Sequence, residues 1–151
     1  MKVLVLSMMV IFSQTLMAGP LEEANKKVVV DFFELAINQK KPLEATKKYM
    51  GDKYIQHNPH AANGAAAFVS YFEGKFKKKP NYKIIIKRVI AEGDFVVVHS
   101  NGKDNDKDSG LAIVDIMRLE KGKIVEHFDV VQMVPTFSPN GNTMFEGTKS
   151  N

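Results

Sequence analysis

His127 and Asp129 stand two residues apart in the run Gly122-Lys123-Ile124-Val125-Glu126-His127-Phe128-Asp129-Val130-Val131-Gln132. In a strand alternate residues share a face, so His127 and Asp129 point together while Glu126, Phe128 and Val130 point the other way. An imidazole beside a carboxylate on an inward face is an acid/base pair in outline. The carboxylate can orient the ring and raise its basicity, or burial can raise the pKa of the carboxyl and make it the base. Asp115, a lone carboxylate between Val114 and Ile116, needs a polar partner if it is buried. A three-residue Lys121-Gly122 hairpin loop with a bulge at Gly122 sets Asp115 opposite His127 and gathers Asp115, His127 and Asp129; a two-residue turn sends Asp115 to the far face. The first register is preferred. The same groups can instead simply satisfy one another inside a core.

A second cluster, Tyr54, Gln56, His57, Asn58 and His60, surrounds Pro59 and offers donors, acceptors and a ring for the rim of a cavity. His99 ends a Val96-Val97-Val98 strand and pairs opposite Arg88 if Gly93-Asp94 is the turn. With Gln132, these supply the substrate-binding candidates Tyr54, His57, Asn58, His99 and Gln132. A metal site would have to gather His57, His127, a carboxylate and His99 from separate segments without HxxxH or HxH spacing, so no metal and no cofactor are expected.

The elements that must carry these residues follow from periodicity. Leu21, Val28, Phe32, Leu35 and Ala36 recur at helical spacing between Pro20 and Asn38, with Pro20 at a first helical position. A shorter helix runs from Leu43 to Met50 and closes at Gly51. Tyr54-Ile55-Gln56 reads as a brief extended stretch, too near Pro59 for more. A third helix over 64–76 buries Ala66, Phe68, Val69, Phe72 and Phe76. Strands follow over 82–91, 95–100, 111–119 and 124–132, with a polar loop over 101–109 and an irregular tail from Pro135. Helices first and a strand meander afterwards indicate segregated α+β architecture rather than βαβ units. Ile84-Ile85-Ile86, Val96-Val97-Val98 and Leu111-Ala112-Ile113-Val114 are apolar on both faces, so the outer face needs a cover that a homodimer would supply.

The 151 residues suit one domain, and with no cysteine there is no disulfide, thiolate metal site or cysteine nucleophile. The formal charge is +4 with signs interspersed, and Lys75, Lys77, Lys78 and Lys79 read as a solvated helix end that complements the dipole, not as a nucleic-acid patch. Lys2, the apolar run 3–12 and the small Ala18 and Gly19 have the order of a secretory leader, too short to span a bilayer. Cleavage after Ala18 (or Gly19) would leave residues 19–151 as an exported domain, periplasmic or secreted, with no stable membrane insertion.

Taken together, Tyr54-Ile55-Gln56-His57-Asn58-Pro59, Ala91-Glu92-Gly93-Asp94-Phe95-Val96, Asp115-Ile116-Met117-Arg118-Leu119 and Lys123-Ile124-Val125-Glu126-His127-Phe128-Asp129 resemble the successive signatures of SnoaL-like proteins, a branch of the nuclear transport factor 2-like superfamily. Phe128 stands where the family pattern usually has Trp. The resemblance implies a cone-shaped fold with helices packed in a curved antiparallel sheet and a deep, mostly apolar pocket. It also implies cofactor-independent acid/base chemistry of the aldol/cyclase, isomerase or dehydratase type on a small apolar carbonyl compound. Asp129 matches the proton-abstracting Asp of that motif, and His127, His57 and Asn58 would hold or protonate the enolate. The alternative is an exported, non-catalytic protein that binds a hydrophobic small molecule.

Overall fold

The computed structural model describes residues 19–147. The leader expected over 1–18 therefore lies outside the described residues. Among the described residues no helix is long and apolar enough to cross a membrane. The chain forms α1 (Pro20–Phe33), α2 (Pro42–Tyr49), β1 (Met50–Gln56), α3 (Ala65–Lys78), β2 (Lys83–Glu92), β3 (Phe95–Lys103), β4 (Leu111–Glu120) and β5 (Lys123–Met133), with a π-helical turn, Glu34–Asn38, extending α1. Pro20 sits in the first turn of α1 as expected.

The buried face of this first helix is wider than the expected stripe and begins later along it. Val29, Phe32, Phe33, Ala36 and Ile37 are buried, whereas Leu21 is 58% exposed. Phe32 and Ala36 belong to the expected stripe, Val28 and Leu35 pack half-buried against the core as expected, and Val29, Phe33 and Ile37 widen the face. The wider π turn brings Ala36 and Ile37 inward together and leaves Asn38 facing β2. There its amide pairs both backbone groups of Ile84, donating from Nδ2 to the carbonyl at 3.1 Å and accepting from the N–H at 2.9 Å. Buried Asn25 likewise donates to the Gly93 carbonyl at 3.1 Å, fastening α1 to the β2–β3 turn.

The sheet runs β1-β5-β4-β3-β2. Four strands are antiparallel, but β1 is longer than the expected brief stretch and lies parallel to β5, with Gln56 beside His127. Met50 therefore opens a strand rather than closing α2.

Neither anticipated register of the last hairpin is the one formed. Lys121 (φ 51°) and Gly122 (φ 73°) make a two-residue turn, so Glu120 pairs with Lys123 and Leu119 with Ile124. An extra residue at Val125 then shifts the pairing, so that Arg118 meets Glu126, Met117 meets His127 and Asp115 meets Asp129. The bulge restores the parity that the turn alone would have lost. Asp115, His127 and Asp129 share the inner face, with Asp115 opposite Asp129 instead of His127, a shift of two residues. Ile124 and Val125 are both buried, which pins the bulge in place. The core fills the concave side, where Phe32, Val96, Val98, Met117 and Ile124 are all less than 2% exposed.

Candidate functional site

Helix α3 has no fully buried residue, unlike α1. Its half-buried Phe68, Phe72 and Phe76 pack against the core from the open side of the sheet, whereas Ala66 is exposed and not part of that face. A cavity of about 620 Å³ is left between α3 and the inner sheet face. Phe33, Phe68, Phe72, Ile84, Ile113 and Met117 give it apolar walls, and Tyr54, Gln56, Asn58, Asp115, His127 and Asp129 form its polar patch.

The hydrogen-bond network fixes which atom carries which proton. The Asn58 N–H donates to Gln56 Oε1 at 3.0 Å, so the other end of the Gln56 amide is the donor. Gln56 Nε2 lies 2.9 Å from His127 Nδ1 and 3.4 Å from the Tyr54 hydroxyl. His127 Nδ1 therefore accepts, and its Nε2–H donates to Asp115 Oδ1 at 2.9 Å. The Asn58 amide is oriented in the same way: Oδ1 accepts from the His60 N–H at 2.8 Å, and Nδ2 donates to Asp129 Oδ1 at 2.7 Å. His60 also borders the cavity.

Three environments result. Asp115 is 5% exposed and its Oδ2 has neither partner nor solvent. Burial pushes its carboxyl above the ordinary range, the hydrogen bond from His127 opposes this, and the charge of Asp129 adds to it. Asp129 is only half-buried, and one of its oxygens is held by Asn58. Burial, followed by the charges of Asp115 and Asp129, drives the Tyr54 phenol upward. Tyr54 thus stays protonated, accepts from Gln56 and keeps its own proton for a ligand.

Ligand atoms of Asp115, His127 and Asp129 lie within 4.8 Å of one another, close enough to share a cation. Both ring nitrogens of His127 are already engaged, however, so an ion would have to displace Gln56 or Asp115.

Three expected binding residues lie elsewhere. Inward positions alternate as Tyr54, Gln56 and Asn58, which turns His57 to the outer face. There it stacks on Phe128 (centroids 3.9 Å apart) and meets Glu126 at 2.8 Å. His99 is outward because Val98 is inward; it lies 3.1 Å from Arg88 and stacks on Phe145. Gln132 shares the outer face of Phe128 and Val130 and is exposed. The metal set that included His57 and His99 is therefore split across the sheet. Gln56, in contrast, is the bridge on which the network turns. Period two through Tyr54-Asn58 carries its signal, in a strand longer than the brief stretch expected before Pro59.

The SnoaL-like domain model matches residues 29–127, and the chain belongs to that family. Among solved structures it resembles a protein assigned as a SnoaL-like polyketide cyclase from Jannaschia sp., with 20% identity over 75% of this chain and 88% of that one and a TM-score of 0.63. A protein assigned as an isomerase of the SnoaL-like family from Agrobacterium tumefaciens gives 13%, 73%, 98% and 0.62 for the same quantities. One assigned as a ketosteroid isomerase from Kribbella flavida gives 14%, 85%, 93% and 0.62. At these identities the likeness establishes the shared fold. No curated protein sequence matches the chain.

Proposed function

We propose that the protein is an exported, cofactor-independent acid/base enzyme acting on a small apolar carbonyl compound, with Asp129 as the base. The observation that carries this reading is the contrast within one cavity between a half-buried carboxylate steadied through a single oxygen and a buried carboxyl biased toward its proton. Asp129 Oδ2 takes a proton from the carbon next to the carbonyl. The electron pair moves to the carbonyl oxygen, which receives the Tyr54 O–H bond, and apolar walls keep water from competing. Isomerisation returns the proton to another carbon; an aldol closure uses the carbanion to form a carbon–carbon bond. His127, whose Nε2 proton is committed to Asp115, positions the polar patch and does not touch the enolate.

Export rests on the order of residues 1–18. A homodimer through the outer sheet face is part of the same proposal, because Val130 (71%) and Ile90 (60%) are exposed there.

Native mass spectrometry of the protein from its own source identifies the bound compound, and Asp129→Asn is then assayed on it. The expected result is turnover reduced about 10²- to 10⁴-fold with binding kept. An active Asp129→Asn protein contradicts the assignment. A ligand held unchanged, with no turnover by either form, establishes a binding protein instead.

A further inference from the structure

Lys75 belongs by sequence to the run that ends α3, yet only Lys77, Lys78 and Lys79 of that run are exposed. Lys75 is half-buried and borders the cavity, where it is the single Lys or Arg among the lining residues. Its ammonium lies 3.8 Å from the centre of the Tyr82 ring, 5.4 Å from that of Tyr71 and 5.7 Å from that of Phe72. Ring faces attract a cation but do not neutralise it. The lysines that carry ion pairs among the described residues are Lys26, Lys27, Lys41, Lys83, Lys87 and Lys103. Lys75 is not among them, and the nearby charge that acts on it is Lys79. Burial first, and then Lys79, lower its ammonium to about 8, the direction expected of a cation whose counter-charge is missing.

Its place is equally specific. Tyr82 packs directly over Gly102, where a Cβ would overlap the phenol oxygen. Gly102 lies four residues along β3 from Val98, the partner of Asp115. At about 3.3 Å per residue Gly102, on which Tyr82 packs, lies about 13 Å along β3 from Val98. The cavity has a proton-transfer end and a cationic end with aromatic walls between them.

We infer that Lys75 anchors a carboxylate on the ligand, so that the compound taken by the cavity is an apolar acid whose reacting carbonyl lies at the end remote from its acid group. The inference deepens the proposed function and rests on it for the reaction, but the anchor is read by binding alone.

The test compares 2-naphthoate with 2-naphthylmethanol by titration calorimetry at pH 7 against the wild type, Lys75→Met and Lys75→Arg. The wild type is expected to bind the acid at least about tenfold more tightly than the alcohol, the factor that corresponds to about 1.4 kcal/mol. Lys75→Met should erase the ratio while keeping the affinity for the alcohol, and Lys75→Arg should keep the ratio. An unchanged ratio in Lys75→Met, equal binding of the two probes by the wild type, or binding of neither overturns the inference. Because Asp129→Asn is expected to leave this ratio intact, a failure of the anchor and a failure of the proton-transfer reading give different results.

Discussion

Asp115 has a measurable consequence that does not depend on any substrate. Its carboxyl, raised by burial in the folded protein, binds a proton more tightly there than in the unfolded chain, where the ordinary 3.8 applies. The stability it contributes is full below about pH 4 and is lost as the pH rises through the folded pKa. Asp115→Asn keeps an acceptor for His127 Nε2–H but cannot ionise. Denaturation measured from pH 4 to pH 8 should therefore show the wild type losing stability relative to this variant as the pH rises. A difference that stays flat or runs the other way would mean that the carboxyl is not raised. The grouping of Asp115, His127 and Asp129 was legible because strand alternation survives an error of two in register; the pair opposite each residue was not, because a bulge at Val125 leaves no turn-residue signature. His57 was misplaced by one step of the same alternation. Lys75 was hidden in a run of lysines, although it lies three residues from Phe72 and seven from Phe68, on the helical stripe that faces the cavity.

At the scale of elements, the π turn after α1 and the parallel strand β1 were not readable from local preference. The first depends on Asn38 reaching Ile84 across 46 residues, and the second on the backbone of a distant β5. Both arise from tertiary pairing that overrides short-range signals. Asn38→Ala should therefore do more than remove a side chain, since it leaves the Ile84 N–H and carbonyl without their partners. A loss of about 1–3 kcal/mol is expected, read by urea denaturation. A loss below about 0.5 kcal/mol would mean that water replaces the amide and that the helix does not depend on it for docking. The helices, the two hairpins and their order were legible, because amphipathic period and turn chemistry agree along those stretches.

For the whole molecule, the two faces of the sheet have different occupants. The inner face holds the core and the cavity. On the outer face the C-terminal segment returns over β2 and β3: Arg88 donates to the Phe145 carbonyl at 2.6 Å, Lys87 meets Glu146 at 2.6 Å, and Phe145 stacks on His99. The β5 side keeps Val130 open. If a second copy covers that side, the wild type should sediment as a dimer at micromolar concentration, and Val130→Lys should shift it to monomer without lowering monomer stability. A wild-type monomer at high concentration would remove the dimer.

Proton transfer by Asp129 at a carbon next to a carbonyl is read from solvent deuterium wash-in. A panel of small aryl ketones and keto acids is incubated in D2O with the wild type and with Asp129→Asn, and α-carbon exchange is followed by NMR. Exchange above the buffer rate is expected for at least one compound, with the excess reduced about 10²- to 10⁴-fold in Asp129→Asn. Exchange at the same rate in both proteins, or none above buffer in the wild type, would remove Asp129 as the base.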